Sequence, residues 1–261
     1  MIALAVHGLA KAFGGVQALA GVDFALRQGE RVALIGPNGA GKSTCFHILG
    51  GQLIPDAGHV EVFGERLPAG RPHAVWRAGV GRTFQVAAVF ASLSIADNVT
   101  AALLAADDHS LALLWRADRA RRQRAISLLA QVGMAEQADR QAAMLAYGDL
   151  KRLELAIALA ASPRLLLMDE PTAGMAPAER GELMRLVVRL AAERNLTVLF
   201  TEHDMDVVFA YADRLLVLHR GRLIAAGPPE AVRADERVQE VYLGRPLPVG
   251  ATEDGRSGYD I

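Results

Sequence analysis

Cysteine occurs once, at Cys45, and lysine only three times, at Lys11, Lys42 and Lys151, in a chain of 261 residues. One cysteine excludes an internal disulfide and fits a reducing cytoplasm. It reads as small buried filler in preference to a redox group. No apolar run approaches the ~18 residues needed to cross a bilayer, and no signal-peptide pattern opens the chain, so the expectation is a protein soluble by itself. An excess of one charge is lacking too. A net charge of −1 leaves no basic surplus, and no nucleic-acid partner is expected. What is plentiful is core material, with 52% hydrophobic residues, enough for one large domain or a domain carrying an insertion.

One of the rare lysines stands inside Gly36, Pro37, Asn38, Gly39, Ala40, Gly41, Lys42, Ser43 and Thr44. This is G-x-x-x-x-G-K-[ST], the phosphate-binding loop. Its glycines let the backbone turn tightly and present N–H groups to phosphate oxygens, where a Cβ would intrude. Lys42 places a cation on the β and γ phosphates, and the Ser43 hydroxyl suits Mg²⁺. The context agrees. Arg31–Ile35 reads as a buried strand, and a helix starting at Ser43 aims its positive end at the same anion.

Strand patterns cover 2–7, 22–26 and 59–64. From Arg71 to about Ala161 alanine- and leucine-rich helical stretches take over, at 95–106, 118–132 and 149–161. This is a candidate helical insertion in an α/β domain. Five arginines between Trp115 and Arg124 read as a solvated helix face. After 162 the α/β alternation returns, with a strand from Arg164 ending at Asp169 and Glu170, a helix over 178–193 and a strand over 196–201. A hairpin follows over 213–218 and 221–226, then a helical tail element over 230–243. Residues 246–261 carry few large apolar groups, and disorder is expected there.

An apolar strand ending in Asp-Glu after a phosphate loop pairs two chemistries. Asp169 can hold Mg²⁺, and Glu170 can orient or deprotonate a water that attacks the γ-phosphate. Capping of the next helix is the structural alternative. His203 ends the following strand on the carboxyl edge, where ligands bind in open α/β folds. Gln85 follows a short strand at the border of the helical stretch, where its amide can reach Mg²⁺ or the water. Phe13, ahead of the loop, either stacks on a nucleobase or packs in the core.

Taken in order, these motifs make residues 1–244 resemble the ATP-binding subunit of an ABC transporter. The resemblance implies a P-loop ABC ATPase fold, with an antiparallel β subdomain and a helical subdomain inserted at about 86–161, and a flexible tail over 245–261. It implies Phe13 on adenine, Gln85 in the glutamine loop, Tyr147, Gly148 and Asp149 in the signature, Glu170 as catalytic glutamate and His203 as the switch. It further implies ATP and Mg²⁺, a head-to-tail homodimer or a heterodimer with a paralogous ATPase, and transmembrane permease subunits. A periplasmic substrate-binding protein would be an indirect partner, and the chain would lie on the cytoplasmic face of the membrane. Leu145-Ala146-Tyr147-Gly148, Glu202-His203-Asp204-Met205 and the stretch from Glu230 to Gly244 are similar to the branched-chain amino acid uptake group, in particular to the larger of its two ATPases.

The pattern is broken in three places. Ala146 replaces the usual signature serine and forgoes a charged hydrogen bond worth about 1.5–3 kcal/mol. Asp149 replaces glutamine, and Ala176 stands where the dimer-crossing loop usually has aspartate. These changes bear on closure and turnover more than on nucleotide binding. An export or lipopolysaccharide-transport ATPase of the same fold, a soluble ABC factor, and a small-molecule P-loop kinase are the rival readings.

Overall fold

The computed structural model describes residues 1–83, 89–106 and 114–243. Two sheets are stacked with a helix between them. The first is antiparallel, in the order β2-β1-β4-β5, with β1 Ile2–Phe13, β2 Val16–Arg27, β4 Ala57–Val62 and β5 Glu65–Arg66. The second is mostly parallel, in the order β10-β9-β3-β8-β7-β6. Its strands are β3 Arg31–Ile35, β6 Val80–Thr83, β7 Leu165–Asp169, β8 Thr197–Thr201, β9 Arg214–His219 and β10 Arg222–Gly227.

Alternation along the second sheet separates two cores. Val32 and Leu34 of β3, Leu165 and Leu167 of β7, Leu199 of β8, and Leu216 and Leu218 of β9 face helix α1 (Lys42–Leu49) and the antiparallel sheet. Their neighbours Ala33, Ile35, Leu166, Met168, Val198, Phe200, Leu215 and Val217 face the opposite way, into the layer of later helices. Buried on both faces, these strands read as continuous apolar runs, as parallel strands do. Cys45, Phe46, Ile48 and Leu49 of α1 fill the space between the sheets, so the helix that follows the phosphate loop is held from both sides.

Between β6 and β7 lie α3 (Ile95–Ala106), α4 (Leu114–Gln131) and α5 (Tyr147–Ala158), packed on one another. The helical texture that the sequence starts at Arg71 therefore begins later. After the short α2 (Pro72–Arg77), β6 still belongs to the core sheet and pairs in parallel with β7. The remaining helices are α6 (Pro177–Arg194), α7 (Met205–Tyr211), α8 (Pro229–Ala234) and α9 (Glu236–Leu243).

Two expected boundaries move. The strands over 2–7 and 22–26 are the inner parts of a hairpin with two twelve-residue arms, turning at Gly14–Gly15. The outer halves continue the ladder through irregular register, and backbone hydrogen bonds need no apolar pattern. The single helical element at 230–243 is two helices. Asp235 is extended between them (φ −68°, ψ 119°), and its carboxylate accepts from Arg237 N at 2.9 Å.

Cys45 is fully buried, and burial pushes its thiol up to about 12. A thiol of that kind is the filler expected from the sequence, since reaction requires the thiolate and access. In the folded protein Cys45 is expected to be silent towards Ellman's reagent at neutral pH, and to react fully once guanidinium unfolds the chain.

Candidate functional site

The site forms where β3, β8 and β7 end side by side. These strands are parallel neighbours in the order β3-β8-β7, so the residues leaving Ile35, Thr201 and Asp169 emerge on one edge. From Ile35 the chain enters the glycine loop. Gly36 has φ 153°, and a Cβ on it would stand 2.1 Å from the Leu218 carbonyl oxygen of β9. Gly41 has φ 107°, and a Cβ there would meet the Ala18 carbonyl oxygen of β2 at 2.3 Å. Only glycine fits at either place, because the loop is wedged between the two sheets. Gly39, by contrast, has a left-handed φ of 78° with open space around it, and there the demand is for conformation alone.

Lys42 curls back into this loop. Its Nζ donates to the Gly36 carbonyl at 2.7 Å and to the Pro37 carbonyl at 3.2 Å. Burial lowers its affinity for the proton, while Glu170 and then Asp169 pull in the other direction. The ammonium is thus in electrostatic contact with both carboxylates. Ser43 is exposed at the start of α1.

One hydroxyl organises the acidic pair. Thr201 Oγ1 donates to Asp169 Oδ1 at 2.7 Å and accepts from the Glu170 N–H at 3.0 Å. The Glu170 N–H also points to the Thr201 carbonyl, at 3.2 Å. Glu170 sits at φ 48°, a left-handed conformation that costs roughly 1–2 kcal/mol for a residue with a Cβ. The turn throws its side chain towards His203, whose Nε2 is 2.9 Å from Glu170 Oε1. Neither acid caps a helix. The next helix, α6, starts at Pro177, and its first-turn acid is Glu179, which accepts from Ala176 N at 3.3 Å.

Other positioning groups had no signal in the sequence. Glu202 is buried and accepts from both the N–H and the hydroxyl of Thr172, at 2.8 and 2.7 Å, tying the loop after Glu170 to the end of β8. Arg82 of β6 stands 3.8 Å from Asp169 and donates to the Phe46 carbonyl of α1 at 3.1 Å. Arg180 of α6 donates to the Met175 carbonyl at 2.9 Å and also bonds Asp204, which caps α7 immediately after His203. Such partners are set by tertiary contact, and a lone Arg or Thr in sequence announces none of them.

Phe13 is half exposed at the tip of the β1–β2 hairpin, with Lys11 Nζ 5.6 Å from its ring centre. The core-packing alternative does not hold for it. Gln85 lies outside the described residues. Tyr147, Gly148 and Asp149 form the first turn of α5, behind Ala146, which supplies no side-chain cap. Gly148 faces Glu179 and Met175, and the Tyr147 ring lies against Gly174. Among the described residues no hydrogen bond joins this segment to the glycine loop.

The donors fit Mg²⁺. A serine hydroxyl beside the loop and a buried, hydrogen-bonded carboxylate are the hard oxygen ligands that this ion takes.

The family model described as "ABC transporter" matches residues 19–173, more than half of the chain, and the one described as "Branched-chain amino acid ATP-binding cassette transporter" matches residues 222–247. The chain belongs to the ABC transporter family.

Among curated relatives, it is 38% identical over 251 residues to the high-affinity branched-chain amino acid transport ATP-binding protein BraF of Pseudomonas aeruginosa, covering 92% of this chain and 97% of that one. It is 35% identical over 244 residues to the lipopolysaccharide export system ATP-binding protein LptB of Escherichia coli, covering 94% and 98%. In three dimensions it resembles an ATP-binding cassette of an ABC transporter in its ADP conformation (TM-score 0.83, 30% identity, 94% of this chain and 99% of that chain). It also resembles a dimeric cassette in a post-hydrolysis state bound to ADP and Pi (TM-score 0.75, 25% identity, 87% and 98%). The P-loop ABC ATPase fold and an ATP-binding, ATP-hydrolysing role follow for this chain. Among the described residues no helix is long and apolar enough to cross a membrane.

The bond to Arg180 holds the Asp204 carboxyl below its ordinary 3.8, with burial opposing. This contact therefore adds stability above that value and loses it as pH falls through the depressed one. Arg180→Gln is expected to return the Asp204 carboxyl towards 3.8, readable by carbon NMR of that side chain.

Proposed function

We propose that this chain is the ATPase subunit of a transporter for branched-chain or related amino acids. The supporting observation is the pairing of 38% identity to BraF across nearly the whole chain with a separate match at residues 222–247, in a C-terminal stretch beyond the nucleotide site. LptB favours a second reading, lipopolysaccharide export, at slightly lower identity and similar coverage.

In the proposed mechanism the backbone N–H groups over Asn38 to Thr44 and the Lys42 ammonium take the β and γ phosphates. The two carbonyls that Lys42 Nζ donates to, those of Gly36 and Pro37, belong to the loop itself and keep the cation at its centre. Ser43 and Asp169, with Gln85, would hold Mg²⁺; the ion supplies neutralisation of charge on the transferred phosphoryl group. Glu170 accepts the proton of the attacking water, the new bond forms from that water to the γ-phosphorus, and the bond to the ADP oxygen breaks. His203, whose Nε2 lies 2.9 Å from Glu170 Oε1, would also reach the γ-phosphate and report its loss. Phe13 offers its exposed ring to adenine.

Tyr147, Gly148 and Asp149 would complete the second face of a nucleotide bound to a partner ATPase, whether an identical copy or a paralogue. Residues 1–244 act as the motor domain. The helices inserted at about 86–161 pass the motion to permease subunits at the cytoplasmic face of the membrane; the tail expected over 245–261 lies outside the described residues. A periplasmic binding protein would deliver the cargo from the other side.

Glu170→Gln is expected to bind ATP with wild-type affinity, to lose hydrolysis by about 100-fold or more, and to accumulate as an ATP-bound dimer in sedimentation. Unchanged turnover would remove Glu170 from the role. For the cargo, the complex purified from native membranes and reconstituted in vesicles should couple ATP hydrolysis to leucine, isoleucine or valine movement. Hydrolysis stimulated by lipopolysaccharide instead would favour the second reading.

A further inference from the structure

Away from the nucleotide edge, the outer face of the antiparallel sheet carries a second set of donor atoms. His7 stands opposite His59 in the β1–β4 ladder, and Glu61 lies two residues beyond His59 on β4. The pleat therefore points all three to one side. Val6, Val60 and Val62, one position off, are buried in the core between the sheets, which fixes the His-His-Glu set outward.

The distances suit a metal. The two imidazoles stack with centroids 4.8 Å apart and 26° between planes. His59 Nε2 is 3.2 Å from Glu61 Oε1, and His7 Nε2 is 4.0 Å from Glu61 Oε2. One ligand atom from each residue lies within 4.8 Å of the others. Ligands about 2.0–2.1 Å from a tetrahedral ion stand about 3.3 Å from one another, so small side-chain rotations close the set. Arg66, the partner of Glu61 on β5, is exposed and can swing to solvent.

The scaffold is stiff at this point. A Cβ on Gly58 would stand 2.3 Å from the His7 carbonyl oxygen, so β4 and β1 are in backbone contact beside the cluster. Gly8 N donates to Asp23 Oδ1 at 2.8 Å and pins the irregular turn of β1 next to His7. Two imidazoles and a carboxylate are ligands for zinc and its late first-row neighbours, whereas Mg²⁺ selects oxygen donors.

We propose that His7, His59 and Glu61 form a binding site for a divalent transition-metal ion of the zinc class. Water completes the coordination, and the ion staples β1 to β4. This site is separate from the nucleotide and its Mg²⁺, and none of its residues serves hydrolysis.

The test uses the full chain without an affinity tag, stripped by chelator and free of nucleotide. Cobalt(II) serves as the spectroscopic probe and zinc is followed by calorimetry. The expected result is one ion per chain, with cobalt absorption bands displaced by zinc and untouched by millimolar Mg²⁺, together with a zinc-dependent rise in the melting midpoint. His7→Ala, His59→Ala and Glu61→Gln each lose the ion and the rise, while His203→Ala keeps both. Should a histidine variant fail to fold, Glu61→Gln decides, because it keeps the strand and the ring stack. Absence of saturable binding would overturn the proposal, and so would binding that persists in Glu61→Gln.

Discussion

A lysine taken out of water at the lip of a parallel sheet sets the terms for everything around it. Burial disfavours the charge on Lys42, and two loop carbonyls that receive it and two carboxylates within electrostatic reach oppose that. An isolated buried ammonium would cost several kcal/mol. The fold is arranged so that this cation is never isolated. Two glycines without side chains let the loop wedge between the sheets, α1 is gripped on both faces, and β7 delivers Asp169 and Glu170 two strands away. A triphosphate bound there meets a cation whose nearest partners are two backbone carbonyls of its own loop.

The second constraint is how the two acids are kept in different circumstances while adjacent in sequence. Asp169 ends its strand buried, with Thr201 and Arg82 on it. Glu170 is turned out by a left-handed backbone and meets His203. One threonine hydroxyl serves both, accepting from one backbone and donating to the other carboxylate, so their geometry is coupled. Beyond them Glu202 and Arg180 tie the loop over 172–175 to the residues flanking His203. His203, Glu170 and the loop over 172–175 thus share a continuous hydrogen-bonded frame.

Much of this architecture was legible in the residues. The glycine loop, the strand ending in Asp-Glu and the histidine at the next strand end each carry a strict local requirement, and each lies on the edge its pattern implied. The buried strands announced themselves as unbroken apolar runs. Less legible were the outer halves of the β1–β2 hairpin, where the ladder leaves the core. The break at Asp235 was hidden because its helices share one amphipathic texture.

Sequence alone determined that a phosphate-loop pattern exists, which residues are the candidates to serve it, and that the chain is an α/β domain, because those depend on local backbone freedom and periodicity. Tertiary structure decided which side chains meet. The Thr201 bonds to Asp169 and Glu170, the Arg180 bond to Asp204, and the stack of His7 on His59 join residues from 24 to 52 positions apart. Those contacts depend on strand order and register, which no local pattern encodes.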